Sequence, residues 1–161
     1  MGFYMSYKRI APVEFVTLLK LAYEQSDSPS IEATLERLPV CELDKEWVAL
    51  QNMFASQKHF SIDMNAILFN EDEMISELSD YVQSYYITPS DVKRVYTALS
   101  DMTMVKWLDR YRAVEGRRPN EDFSEEDEKG FFQTMAYIGA FFMFLHSAVT
   151  HDEGIIRIDD I

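Results

Sequence analysis

Few side chains in this 161-residue sequence are of types that do chemistry, and their spacing narrows what they can do. His59, His146 and His151 accompany a single cysteine, Cys41. His146 and His151 are five residues apart, about 140° around a helix, so they offer no metal a two-ligand face. Cys41 stands between Val40 and Glu42 with no nearby cation to stabilise a thiolate, and reads as a packed small residue. Glu73, Glu77 and Asp80 share one face if residues 71–82 form a helix. Such a face is a solvated surface, a Mg²⁺ site or a docking patch for a basic partner. Arg110, Arg112, Arg117 and Arg118 put four of fifteen basic residues into nine positions, and six acids follow between Glu121 and Glu128. Mutual neutralisation is the simplest reading. The sharper one gives Arg117 and Arg118 to an anionic group of a partner, because guanidinium forks bind carboxylate and phosphate well.

Several chemistries drop out. The five glycines are scattered, so there is no phosphate-cradling loop, dinucleotide fingerprint or nucleophile elbow. No catalytic residue, metal or cofactor is expected. The net charge of −13 disfavours nucleic acid and anionic membrane and suits a basic protein partner. One cysteine excludes an internal disulfide framework and fits a reducing, cytoplasmic setting. No basic stretch precedes an apolar run near the N-terminus, so no secretory signal is expected. Met1-Gly2 with Ser6 formally fits a myristoylation pattern, but Phe3, Met5 and Tyr7 alternate as a strand would.

These residues need elements to hold them. Residues 3–10 read as a strand, and Pro12 opens a helix with Phe15, Leu18, Leu19 and Ala22 on one face. After a loop at 25–30, a short helix carries Ile31, Leu35 and Leu38 and stops at Pro39. Asp44 is placed to cap a helix with Trp47, Leu50 and Phe54 inward and Leu43 stapled on Val48. Residues 61–69 and 71–82 are expected as short helices, the second with Met74, Leu78 and Tyr81 inward. A brief strand at 85–87 leads to Thr88-Pro89-Ser90-Asp91, a helix start with cap, proline and acid in sequence. A helix over 103–113 carries Met104, Trp107, Leu108 and Tyr111, and a polar loop follows.

The last stretch organises the rest. Ser124 is a helix cap with Asp127 three residues on, and acids fill the first turn, where the helix dipole favours them. From Phe131 to Val149 the sequence is apolar nearly all round, as in a core helix or a membrane span. At about 1.5 Å per residue this run would cover roughly 28 Å, close to a bilayer core. Gln133, Thr134, His146 and Ser147 interrupt it, and basic and tryptophan anchors are lacking at its ends. A buried helix is therefore expected, followed by a strand from Gly154 to Ile158.

The opening strand leading to Pro12-Val13-Glu14, the segment Leu43-Asp44-Lys45-Glu46-Trp47, Ala66-Ile67-Leu68 and Tyr86 to Val92 occur in this order before the long last helix. In this the chain resembles the YfbM-like family, small bacterial proteins catalogued as a domain of unknown function. It departs from that pattern at Phe69-Asn70, where glycines are usual, and at Ala11, where a polar cap is usual. The resemblance implies an α+β fold and brings no catalytic residues. The expected architecture is α+β: a predominantly helical single domain over residues 1–161, with a small sheet including the N- and C-terminal strands, packed around a long apolar C-terminal helix. The expected function is that of a noncatalytic acidic protein-interaction protein, of an immunity or inhibitor type, binding a basic partner. The alternative is a small ligand-binding protein or enzyme.

Overall fold

In the computed structural model, which describes residues 4–24 and 28–160, a four-stranded antiparallel sheet separates two hydrophobic cores. Its strands are β1 (Tyr4–Ile10), β2 (Val40–Asp44), β3 (Gln83–Ile87) and β4 (Gly154–Asp160), in the order β2-β1-β4-β3. The helices are α1 (Pro12–Tyr23), α2 (Ser28–Arg37), α3 (Trp47–Phe54), α4 (Met64–Leu68), α5 (Pro89–Ser100), α6 (Met104–Val114) and α7 (Glu125–Thr150). A 3₁₀ turn spans Ser76–Leu78. The fold is thus helix-rich α+β with the expected terminal strands paired at the centre of the sheet.

Side-chain alternation along the strands assigns residues to the two cores. Met5, Tyr7, Ile87 and Ile155 face the larger one, shared with α3 to α7. Ile10 and Ile156 face the smaller one, shared with α1, α2 and the 3₁₀ turn. Both faces are covered, and the isoleucines of β4 serve both, Ile155 toward the larger core and Ile156 toward the smaller. In the smaller core, Phe15 stacks on Tyr86 with ring centroids 3.8 Å apart. Gly154 makes room for that tyrosine, since a side chain there would run into the Tyr86 ring.

Local chemistry explains the helix starts. Thr88 accepts a hydrogen bond from the Asp91 amide at 3.2 Å, with Pro89 at the first position. Ser124 and Asp127 form a reciprocal capping box, each bond 3.1 Å. Ala11 precedes α1 with no side-chain cap, and there the proline alone sets the start.

Six expectations need correction. Val40–Asp44 is a strand, pairing with β1, and Asp44 closes it at a positive φ of 45° instead of capping a helix. Glu46 precedes α3, and Val48 is exposed, so it forms no staple with the buried Leu43. Residues 71–82 do not form a helix: Met74 bridges to Tyr85, and the Ile75 amide donates to the Ser84 carbonyl at 2.8 Å. This strip is held as an extension of edge strand β3, and Ile75 and Leu78, not Met74, turn inward. The expected helix over 61–69 shortens to α4, capped by Asp63. Finally, α7 is not buried all round. Phe131, Ile138, Phe141 and Leu145 enter the core, while Phe132 is 68% and Met143 59% exposed. By length and composition alone α7 could cross a membrane; here one of its faces is built into the protein. The loop expected at 25–30 gives way to α2 from Ser28 onward. Gln25 to Asp27, and the myristoylation pattern beginning at Met1, lie outside the described residues.

Candidate functional site

The most structured polar assembly lies beneath a cleft at edge strand β3. Arg157, in the middle of β4, is opposite Tyr7 of β1 and Tyr85 of β3, and is only 2% exposed. Its Nε and Nη2 donate to the two carboxylate oxygens of Asp159, each at 3.0 Å. Its Nη1 donates to the Leu68 carbonyl at 3.0 Å, and its guanidinium lies 4.0 Å from the centre of the Tyr85 ring. Tyr7 Oη donates to the same Leu68 carbonyl at 2.7 Å. The last carbonyls of a helix lack intrahelical donors, and at α4 the sheet supplies two. Burial pushes the Asp159 carboxyl above its ordinary range against the pull of Arg157, and the charge of Glu71 adds to the rise. Burial likewise pushes the Tyr7 hydroxyl far up, so it stays a neutral donor.

Above Arg157 opens a cleft of about 190 Å³, walled by Ala66 to Leu68, Asn70, Glu73, Tyr85 and Asp91. The Arg157 charge is spent on Asp159. Asp91 is shared with Arg94 at 3.0 Å, and Glu73 has no counter-ion among the described residues. What the cleft offers is acceptor capacity toward a cation or an N–H donor. It contains no nucleophile paired with a base. Among the described residues no group of three or more His, Cys, Asp or Glu is placed to hold a metal.

This frame, with its terminal strand pair and long α7, is shared with known proteins. The model of a family described as "Domain of unknown function (DUF1877)" matches residues 1–158. The chain belongs to the DUF1877 family. Its fold is similar to that in the solved structure of YfbM from Escherichia coli, itself titled a protein of unknown function. The TM-score is 0.60 at 15% identity, over 98% of this chain and 99% of that one. No curated protein sequence matches the chain. The likeness at that identity is one of fold.

In this DUF1877 chain the residues singled out from sequence are dispersed. Glu73 reaches the cleft, Glu77 sits in the 3₁₀ turn taking a 3.2 Å hydrogen bond from Ser76, and Asp80 follows in the next turn. All three are exposed, but they lie along an irregular strip and not on one helical face, because that strip pairs with β3. Arg117 is neutralised internally by Asp127 at 3.1 Å and Glu121 at 3.9 Å. The backbone N–H of Ser124 first, then Arg117, holds the Asp127 carboxyl below its usual range. Arg110 donates to the Asn52 and Met53 carbonyls, and Arg112 to that of Glu121. Arg118 is exposed without an ion pair among the described residues. The arginine run is thus mostly a set of bolts. His146 meets Tyr96 at 2.9 Å, and His151 the Ser147 carbonyl at 2.7 Å.

Tyr7, Arg157 and Asp159 were not singled out from sequence. Their signal was present: an arginine and an aspartate two apart, hence on one face, inside an isoleucine-rich strand.

Proposed function

We propose that this DUF1877 protein is an acidic interaction protein that binds a basic protein partner, with residues 71–80 as the docking strip. The observation that carries the reading is that Glu71, Asp72, Glu73, Glu77 and Asp80 are all exposed and have no cation within 4 Å among the described residues. Some carboxylates elsewhere are matched, Asp127 with Arg117, Asp109 with Lys58 and Glu14 with Arg37, while Glu125, Glu126 and Glu128 at the start of α7 also have no ion pair among the described residues but face the positive end of the helix dipole. Five uncompensated acids on a strip pinned to a sheet edge repel one another, and a basic surface relieves that repulsion and is drawn in by it. An immunity or inhibitor role toward a basic toxin or nuclease is the sharpest form of this reading. Arg118 is free to meet an acidic group of the same partner; Arg117 is occupied.

In this reading α7 stays in the protein, and the location is the cytoplasm. The half-buried Cys41 suits that setting, its thiol pushed up to about 11 chiefly by burial and so unreactive. A second reading, favoured by the cleft itself, is a small cationic ligand seated beside Glu73. At about 190 Å³ the cleft is below the usual range of about 300–1,000 Å³, with room for one ammonium or guanidinium group.

The test is capture of partners from native lysate by the full chain, with association kinetics measured on what is retained. Association should slow at least ~10-fold between low and high salt, and similarly in the triple variant Glu73→Gln, Glu77→Gln, Asp80→Asn. Salt-independent binding, or a triple variant that associates like the wild type, would overturn the mechanism.

A further inference from the structure

A second polar assembly lies away from the acidic strip and does not depend on it. After α3 the chain turns through residues 56–60, closed by the Phe60 amide donating to the Ser56 carbonyl at 3.2 Å. Phe60 is buried against Phe54 and Trp107, with centroids 6.2 and 6.1 Å away, which holds the turn against α6. His59, its side chain only 8% exposed, therefore sits between the turn and α6. Its Nδ1 is 2.9 Å from Ser56 Oγ and its Nε2 is 2.9 Å from Asp109 Oδ2.

The pair of bonds dictates where the protons are. Asp109 is held below the usual carboxylate range by hydrogen bonds from Lys58 first and His59 as well, so it is ionised and can only accept. In the neutral form, His59 then carries its proton on Nε2, which leaves Nδ1 as the acceptor and makes Ser56 Oγ–H the donor. A hydroxyl donating to an imidazole whose far N–H is fixed by a carboxylate is the arrangement that activates a serine nucleophile. Lys58 shares the same Asp109 oxygen at 3.2 Å, but its side chain is 77% exposed and its charge is screened by water.

Ser56 opens onto a cleft of about 270 Å³ with Phe54, Ile62 and Met64 as apolar lining and Asp63 and Asn65 as polar lining, the Asp63 carboxylate being engaged by the Ala66 amide as the cap of α4. Asn65 donates to the Gln51 carbonyl at 3.0 Å, while its Oδ1 is buried without a partner. Gln57, next in the chain, also lines the cleft, and its amide has no backbone acceptor among the described residues, which leaves it to donate to a developing oxyanion.

We propose that Ser56, His59 and Asp109 form an acyl-transfer site that hydrolyses small carboxylic esters. Ser56 Oγ bonds to the ester carbonyl carbon as its proton passes to His59 Nδ1. The tetrahedral intermediate breaks its bond to the alkoxy oxygen, which leaves with that proton as an alcohol. Water then gives a proton to Nδ1 and its oxygen to the acyl carbon, and Ser56 Oγ departs reprotonated. The sum is ester plus water to acid plus alcohol. Asp109 is a positioning residue, and the modest cleft restricts the acyl group to a short chain.

The full chain is to be treated with a fluorophosphonate and mapped by mass spectrometry, and assayed with p-nitrophenyl acetate. The phosphonyl group should be found on Ser56. Ser56→Ala, which leaves His59 and Asp109 in place, should lower kcat/KM by ~100-fold or more with the melting temperature unchanged. Asp109→Asn should lower the rate and move the alkaline-rising limb of the pH profile. A folded chain that is not labelled at Ser56, or a Ser56→Ala variant that hydrolyses as fast as wild type, would overturn the proposal and leave the assembly as a bolt between turn and helix.

Discussion

Arg157 illustrates how one buried charge constrains its neighbours. Without it, Asp159 would be an uncompensated carboxylate in the core, near the charge of Glu71. Arg157→Met should destabilise the fold by about 3–5 kcal/mol at neutral pH in denaturant titrations. The sign of the pH dependence follows from Asp159. A carboxyl whose folded pKa is raised favours the folded state below its unfolded value of about 3.9 and opposes it as pH rises through the folded value. The deficit of the variant should therefore shrink as pH falls toward 4. A deficit equal at pH 4 and 7 would show that the carboxylate is not its cause. The pair was half legible beforehand. Alternation along β4 puts Arg157 and Asp159 on one face, but their burial depends on the Leu68 carbonyl and Tyr85, about 90 and 70 positions away in a pattern that is strictly local.

At the scale of elements, what could be read was what neighbouring residues decide. Thr88 and Ser124 announce their helices because a cap and the amide it satisfies lie three residues apart. The β2 strand and the 71–82 strip were misread because their hydrogen bonds go to β1 and β3, partners that no local window contains. In α7 apolar composition does not amount to burial: the helix offers one face to the core. The two faces should respond differently. Phe141→Ala, at 1% exposure, should cost about 3–5 kcal/mol in urea unfolding. Phe132→Ala, at 68% exposure, should stay within about 0.5 kcal/mol. Equal costs would mean that the exposed face is covered in solution.

Over the whole molecule, 28 acids face 15 basic residues. Self-repulsion of this kind weakens the compact state and is screened by salt. The melting temperature should therefore rise between roughly 10 mM and 300 mM NaCl, well beyond the Debye screening change near 0.1 M. A flat or falling curve would show that surface pairs outweigh the net charge. Another whole-chain property follows from the strand order. Among the described strands β3 pairs with β4 alone, apart from the isolated bridge to Met74, and β1 has β4 along one entire side. On a ribosome, β4 is made after the other described strands and every helix described. A nascent chain therefore carries two open sheet edges until β4 emerges, so closure of the sheet is a long-range event that waits on this strand.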